Sequence, residues 1–511
     1  MSWITLPDPP AIIAKAHLPD AAVEGLKFLR RTIKGTPVTI LKHDYQTWMT
    51  LRSRGMLAPH PMERYKYPGR FTPMEHQRRT AEFFAQHIKC FCTNGLRTGK
   101  TLSAIWAADY LMEQKAIRRV LIVAPLSICE IVWERELFKT LSNRRVAVLK
   151  GTRARKRQIA QDTRFDFIVV NPESLELVRD QLPLVDLVIV DEFTKFKNHR
   201  ANRYKALHYV ASERRLWMLS ATPAPQRPTD AYGPIRLVNP KRVGFKAFES
   251  MTMLQVSKFT WINKKECDVV IADWMQPAIR YKREDCIEIP DKVTENLNAG
   301  LTDKQLELIK AFADKAMTEM DGTKISAPNA AAVLTKTLQV MAGGVYGVDA
   351  DGERVTHKVP ADPYFEAVEE VVEQASGPVL IFTSFQSSVT ATYDYLVSKG
   401  YRVAKVMSGT KNRMAIFDQV QHGELDAIVA IPETMSHGLN LAASSTVLWA
   451  SPPFSFETYD QANHRVLSSD QKNKVLVLHL IQNALSLQLF KRLETREKLQ
   501  DSVLTLLEGR I

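Results

Sequence analysis

The stretch TNGLRTGKT, residues 93–101, combines residue types that can hold a phosphate. It follows the apolar run IKCFC and opens a helix-length segment from Gly99 to about Glu113. In a strand–loop–helix context, backbone N–H groups at a helix N-terminus point at phosphate oxygens. Asn94, Gly95, Thr98 and Gly99 would line such a loop. Lys100 would reach the β- and γ-phosphates, and the Thr101 hydroxyl would help hold Mg²⁺. Gly-Lys-Thr alone occurs by chance in long chains, so its context carries the reading. The run LVDLVIVDEFTKFKN ends an apolar strand in two adjacent carboxylates, Asp191 and Glu192. At the carboxyl edge of a parallel sheet, Asp191 would hold Mg²⁺ through water, and Glu192 would orient and deprotonate an attacking water. Alone, the pair would read as a solvated acidic turn; downstream of a phosphate loop, the metal role is favoured. In LSATPAP (219–225), Ser220 and Thr222 could relay hydrogen bonds from a nucleotide to a second lobe. Further along, SHGLNLAASSTVLW supplies Gly438 and Asn440 as nucleotide-contact candidates, and YDQANHRV supplies Gln461 and Arg465. Arg465 follows the proline-rich loop SPPFSF. From there it could enter a site on a facing lobe and neutralise transition-state charge; a plain surface arginine is the alternative.

These residues need elements to position them. From about 75 to 235, short apolar runs alternate with amphipathic stretches: IKCFC (88–92), RVLIVA (119–124), RVAVL (145–149), FDFIVV (165–170), LVDLVIV (184–190) and RLWMLS (215–220), with helical segments such as 127–139 and 200–212. Continuous apolar strands alternating with helices predict a parallel sheet covered on both faces. The pattern resumes after 361 with PVLIFTS, YRVAKVM, DAIVAI, STVLWA and KVLVLHL, and closes in a helix over 484–508. Between them, helices are expected at 302–320, with Thr302 as N-cap and Gln305 completing a capping box, and at 328–342. VYGVDADGERV reads as a hairpin turning at Asp351-Gly352. The expected architecture is α/β: two parallel-sheet lobes, 71–239 and 361–511, joined by a linker and helical insertion, 240–360. Residues 1–70 form an N-terminal segment without a functional reading.

Composition narrows the class. The 511 residues suit two or three domains, and 45% hydrophobic residues can fill real cores. A formal net charge of +13 favours an anionic partner, nucleic acid or an anionic membrane. The N-terminal MSWITLPDPPAIIAKAH lacks the pattern of a signal peptide, and no run of about twenty apolar residues predicts a membrane span. The five scattered cysteines read as buried thiols in a reducing compartment.

Taken in order, the motifs resemble the Swi/Snf-related DNA translocases, which are helicase-type ATPases of superfamily two with two RecA-like lobes. MEHQRRTAEFF resembles their adenine-reading segment, with Gln77 at the glutamine. IVAPLSICEIVWEREL resembles PxSLxxxWxxEL, DEFTKFKN resembles DEAHxxKN, and IRYKREDCIEIPDKV resembles RRxKxDVxxxLPPK. LIFTSF, GLNL and QANHR fill the remaining motifs, so the resemblance covers roughly 70–500. It implies ATP and Mg²⁺ as cofactors and movement along double-stranded DNA, with forks or junctions as possible substrates. An RNA helicase and a slow, nucleotide-gated DNA clamp are the rival readings. The small size is most like phage or bacterial members, which implies a bacterial or phage-infected cytoplasm. Three departures stand out. Phe193-Thr194 replaces Ala-His, Arg97 replaces a glycine of the phosphate loop, and Ser468 stands where QAxGRxxRxGQ has its second arginine. Gln461 and Gln471 keep the register; Arg465 doing the whole job alone is the favoured expectation, with substitution by Arg413 or Lys411 as the alternative. The cationic run KGTRARKRQ offers Arg153, Arg155, Lys156 and Arg157 for DNA phosphates, against a solvated helix start. Tyr67 or Phe71 could stack on adenine, or pack in the lobe wall.

Overall fold

The computed structural model describes residues 2–493 apart from short segments at 7–9, 183–184, 224–226, 242–243, 258–259, 287–291, 316, 321–322, 327–329, 349–353, 411, 436–440, 468–470 and 472. Two parallel sheets dominate it. The first has seven strands in the order Ala278–Ile279, Lys89–Cys92, Arg215–Leu219, Leu187–Asp191, Val120–Val123, Phe167–Val170, Val146–Val148. The second has six: Lys292–Asn298, Val475–Ile481, Thr446–Trp449, Val379–Phe382, Ala427–Ala430, Val403–Val406. All the apolar runs expected to be strands are strands.

Their continuous hydrophobicity follows from burial on both faces. In the first sheet, Phe91, Leu121, Val123, Ile168, Val170, Val188, Val190, Leu216 and Met218 enter one core. Their neighbours Cys90, Cys92, Val120, Ile122, Phe167, Val169, Ile189, Trp217 and Leu219 enter another on the opposite face. A period of two with both phases apolar is what helices on both sides require. Each fully buried Val, Leu or Ile contributes about 1.5–3 kcal/mol relative to exposure. The second sheet repeats the pattern, with Leu380, Phe382, Ile428 and Val447 on one face and Val379, Ile381, Val429 and Leu448 on the other.

Strand placement carries both sheets into the region between the lobes. Ala278–Ile279 pairs with Phe91–Cys92, and Lys292–Asn298 pairs with Val475–Ile481, so the chain passes from one sheet to the other within 280–291. Beyond that crossing lie the helices Asp303–Lys315 and Ala330–Met341. Thr302 caps the first: its Oγ1 accepts from the Gln305 N–H at 3.2 Å, and Gln305 Oε1 accepts from the Thr302 N–H at 2.9 Å. The helix expected to run to 320 stops at Lys315, because Met317–Met320 is a strand paired with Thr323–Ser326. The sequence MTEM-DG-TKIS carries a hairpin signal at Asp-Gly that ends helical propagation. These two strands join Gly344–Val348 and Arg354–Lys358 in a four-stranded antiparallel sheet, so the insertion holds a sheet as well as helices. The expected hairpin pairs Val348 with Arg354, and its Asp351-Gly352 turn lies outside the described residues. The closing segment is helical over 484–493, and its continuation to 508 also lies outside them.

Residues 3–42 form a four-stranded antiparallel sheet, ordered Trp3–Leu6, Ala11–Ala14, Thr36–Lys42, Phe28–Ile33, over a small core of Ile12, Ala14, Leu18, Val23, Leu41 and Leu51. The helix Tyr45–Ser53, capped by Asp44 on the Thr47 N–H at 2.9 Å, pins this unit to the first lobe by inserting Tyr45 and Trp48 into its core. No helix among the described residues is long and apolar enough to cross a membrane.

Candidate functional site

Sheet order brings the first-lobe motifs together. Arg215–Leu219 lies between Lys89–Cys92 and Leu187–Asp191, and Leu219 is level with both Cys92 and Asp191. The phosphate loop, the Asp191-Glu192 pair and the Ser220–Thr222 turn therefore leave adjacent strands at one height, on the carboxyl edge where ligands bind in open α/β sheets.

The loop folds tightly over the helix Lys100–Glu113. Lys100 donates through Nζ to the carbonyls of Asn94 and Gly95, both at 2.9 Å, and Thr98 Oγ1 donates to the Gly95 carbonyl at 2.9 Å. Gly99 caps the helix with φ 84°, and a Cβ there would overlap the Gln77 amide. At Gly95 a Cβ would meet the Arg283 backbone N at 2.9 Å. Both positions need glycine, one for its dihedral and for space, the other for close approach. The Asn94 side chain is structural at both ends: Nδ2 donates to Thr80 Oγ1, and Oδ1 accepts from the Tyr281 N–H, each at 2.9 Å. Gln77 Oε1 accepts from the Met74 N–H at 3.0 Å, and its Nε2 donates to the Thr98 carbonyl at 3.2 Å. Thr101 lies in the first turn of the loop helix. Tyr67 packs edge-on against Trp106 and Tyr65, whereas Phe71 is exposed.

The carboxylates are braced, Glu192 buried and Asp191 half-buried. Asp191 Oδ2 accepts from the Trp133 indole at 2.8 Å, and Oδ1 accepts from the Glu192 N–H at 3.1 Å. Trp133 reaches it from a π-helical turn, Cys129–Glu134. Glu192 has φ 55° and accepts from Ser220 Oγ at 3.1 Å, while Ser220 Oγ takes the Thr222 N–H at 3.1 Å. Ser220 and Thr222 thus hold Glu192. Burial pushes the Asp191 carboxyl above its ordinary range. Glu192 is raised to about 8, first by burial, then by the nearby charges of Glu457 and Asp191. The Lys100 ammonium is lowered by burial, which the facing Cys92, Glu192 and Asp191 oppose.

The second lobe closes on this edge. Arg465 follows the helix Phe456–Asn463, and its carbonyl accepts from the Leu441 N–H at 3.0 Å and from Arg97 Nη2 at 3.3 Å. Burial, the Arg97 charge and, in opposition, Glu192 set its guanidinium, which is lowered to about 9. Gln461 is buried and donates to Glu457 Oε1 at 3.4 Å. Thr194 donates to the same oxygen at 3.0 Å. Arg283 donates to His464 Nδ1 and to the Leu467 carbonyl, while its backbone lies against Gly95. His464 Nε2 stands 3.2 Å from Asp460. Gly438, Asn440, Lys411 and Ser468 lie outside the described residues.

The cationic run forms the helix Arg153–Gln161, which starts at the carboxyl edge beside strand Val146–Val148. Arg153, Arg155 and Arg157 are exposed; Lys156 donates to Ser174 Oγ at 2.7 Å, and Arg155 to Gln158 at 2.8 Å. Trp133, Thr194, Arg283 and Glu457 were given no role from sequence. For Trp133 the sequence signal is its place in IVAPLSICEIVWEREL, which resembles PxSLxxxWxxEL; spacing alone does not connect it to Asp191.

Comparison with known proteins places the chain in a family. Residues 48–342 match the SNF2-related domain, and residues 364–470 match the helicase conserved C-terminal domain. The chain is similar to protein p41 of Acyrthosiphon pisum secondary endosymbiont phage 1, with 23% identity across 85% of this chain and 98% of that protein. It is also similar to the ISWI chromatin-remodeling complex ATPase ISW2 of Saccharomyces cerevisiae, with 21% identity across 80% of this chain and 38% of that protein. Among solved structures, the Sulfolobus solfataricus SWI2/SNF2 ATPase core in complex with dsDNA aligns over 86% of this chain and 95% of that chain, with 19% identity and a TM-score of 0.40. With the SNF2-related match alone spanning more than half its length, the chain belongs to the SNF2-related family of helicase-type, DNA-dependent ATPases.

Proposed function

We propose that the cleft between the two sheets hydrolyses ATP by the residues described above, and that its opening and closing moves the protein along double-stranded DNA. The observation that carries this reading is the meeting of three charged groups from two lobes, Glu192 buried and Lys100 and Arg465 half-buried. Lys100 and Glu192 of the first lobe share an electrostatic environment with each other, and Arg465 of the second lobe with Glu192.

In this reading, Lys100 leaves the loop carbonyls for the β- and γ-phosphates, and the loop N–H groups hold the rest. Thr101 and Asp191 would hold Mg²⁺. Among the described residues no cluster of three His, Cys, Asp or Glu side chains could cage a metal. One half-buried carboxylate and one hydroxyl suit an ion that keeps waters and phosphate oxygens as its other ligands. Bound there, the ion would neutralise charge on the phosphate oxygens. Glu192, poised by burial near neutral pH, takes the proton of the attacking water. Ser220 fixes its carboxylate, and Arg465 faces the charge that develops in transfer. Gln461 orients the Glu457 carboxylate on its own helix toward Thr194, and Gly438 and Asn440 would complete the nucleotide contacts. Gln77 reads adenine. Exposed Arg153, Arg155 and Arg157, with Lys156, contact DNA phosphates, which the net charge of +13 favours. Forked or branched DNA is the substrate this reading extends to, in a bacterial or phage-infected cytoplasm.

The test is ATP turnover by the purified protein with no nucleic acid, duplex, single-stranded DNA, forked DNA and RNA, together with displacement of a triplex-forming strand from duplex. Duplex-stimulated turnover with ATP-dependent triplex displacement is expected. Activation by RNA but not duplex would make it an RNA helicase. Binding without turnover on any substrate would make it a clamp.

A further inference from the structure

Arg97 occupies a costly position. It is a non-glycine residue at φ 64° inside the phosphate loop, in the left-handed region that a Cβ disfavours. Its side chain does not turn away from the cleft. The guanidinium reaches the other lobe and donates through Nη2 to the Arg465 carbonyl at 3.3 Å. It also lies near enough to the Arg465 guanidinium that their repulsion is, after burial, the main reason Arg465 loses basicity. Arg97 and Arg465 thus bring positive charge from both lobes to one half-buried edge of the cleft, where Glu192 offsets part of their repulsion and an anion of more than one charge would join them. The terminal phosphate of a nucleotide is such an anion, and the loop that carries Arg97 is the loop that would bind it.

We propose that Arg97 is a second cationic contact to the terminal phosphate of ATP, supplied from the phosphate loop in place of the arginine that Ser468 lacks. This rests on the hydrolytic reading of Lys100, Glu192 and Arg465. Arg413, named above as a substitute for that charge, is placed differently: it donates to the carbonyls of Met407 at 3.1 Å and Thr434 at 3.5 Å within its own lobe. A planar guanidinium with several donors suits phosphate oxygens better than an ammonium does. The proposal accounts for two departures from the family pattern at once, an arginine gained at 97 and an arginine lost at 468.

The experiment compares wild type, Arg97→Gly, Arg97→Lys and Arg97→Gly/Ser468→Arg. Each is assayed for duplex-stimulated turnover and for its affinity for ADP and for ADP with aluminium fluoride, a mimic of the transferring phosphate. An arginine at the transferring phosphate is worth about 10³–10⁵ in rate. Arg97→Gly is expected to lose at least about 100-fold in turnover, hold ADP within about threefold of wild type, and lose the extra affinity that aluminium fluoride gives. Arg97→Lys should fall between the two, and Ser468→Arg in the glycine background should restore at least about tenfold. Turnover of Arg97→Gly within about threefold of wild type overturns the proposal. So does equal loss of affinity for ADP and for the aluminium fluoride complex, which would make Arg97 a loop-folding residue. Absence of any rescue by Ser468→Arg also overturns it. Arg465→Ala separates the two levels: if that variant turns over ATP like the wild type, the cleft assignment itself has failed.

Discussion

The Thr194 hydroxyl donates to Glu457 Oε1 at 3.0 Å, and so ties the acidic motif of one lobe to the arginine-bearing helix of the other. Gln461 donates to the same oxygen from one helical turn further on. After burial itself, the charge of Glu457 is also the largest influence raising Glu192. The threonine that replaces a family histidine thus joins a path from Glu192 to Arg465. The lobes meet through a carboxylate shared by Thr194 and Gln461, beside the guanidinium bridge from Arg283 to His464.

This path predicts a coupled loss. Thr194→Val removes one hydrogen bond to a charged group, worth about 1.5–3 kcal/mol, and Glu457→Ala removes that bond together with the one from Gln461. Each should lower duplex-stimulated turnover roughly tenfold or more while ADP affinity stays near wild type. The double variant should be no worse than the poorer single one, because both break the same link. Turnover measurements on all three decide it; simple multiplication of the two losses would show that the residues act independently.

The first-lobe pair separates binding from chemistry. Lys100→Ala should weaken nucleotide binding and abolish turnover, since it removes the cation that the loop carbonyls now hold at 2.9 Å. Glu192→Gln keeps an acceptor for Ser220 and keeps Asp191, so binding should persist while turnover falls by about 10²–10⁴. Equilibrium binding of ADP beside steady-state hydrolysis reads both. Wild-type turnover in Glu192→Gln would remove Glu192 as the base.

The sequence made the sheets legible because burial on both faces leaves no polar phase, as in Val120–Val123, where all four residues are buried. It made the phosphate loop and the Asp191-Glu192 pair legible because their chemistry is local: residue types in fixed order after a strand. The N-terminal sheet was not legible, since its strands are short and mix exposed and buried positions; Phe28–Ile33 buries none of its six side chains fully. Trp133 to Asp191 and Arg97 to Arg465 were not legible either. Those contacts join residues separated by 58 and 368 positions and depend on a π-helical turn and on lobe closure. Spacing along a chain records neither.

The basic helix predicts a graded salt effect. Replacing Arg153, Arg155 and Arg157 by glutamine should lower duplex affinity for all sequences alike. It should also flatten the slope of log K against log salt by about 0.9 for each DNA phosphate no longer neutralised. Adding Lys156→Gln should flatten the slope by a further step, since its ammonium keeps its charge while donating to Ser174 Oγ at 2.7 Å. Binding titrations at several salt concentrations test this. An unchanged slope in the triple variant would place the DNA path elsewhere.

Gln77 is committed at both ends, to the Met74 N–H and the Thr98 carbonyl. Its amide can also match the N6 and N7 edge of adenine, which needs one acceptor and one donor. Gln77→Ala should raise KM for ATP about tenfold and relax discrimination against GTP, as expected for one polar contact of about 1.4 kcal/mol. If the ATP-over-GTP preference is unchanged while KM rises for both, Gln77 acts only by holding the loop.

Acid should destabilise both lobes through buried neutral histidines. His60 lies among Trp48, Tyr45 and Tyr110, with its Nδ1 accepting from the Met62 N–H at 3.2 Å. Burial, with Arg52 and His43 nearby, pushes it down to about 3. His479 stacks on Phe490 at 4.1 Å and pairs with the Tyr459 hydroxyl at 2.9 Å; burial, with Lys292 nearby, pushes it down to about 4. An unfolded histidine titrates near about 6.5, so below that pH the unfolded chain binds protons that the folded chain refuses. Stability is therefore full above about pH 6.5 and falls as pH drops toward the folded values, by up to about 1.4 kcal/mol per pH unit for each histidine. Denaturant midpoints measured from about pH 7.5 down to about pH 5 should decline in wild type and decline less steeply in His479→Phe, which keeps the ring stack and removes the titration. Parallel declines in the two proteins would assign the acid sensitivity to other groups.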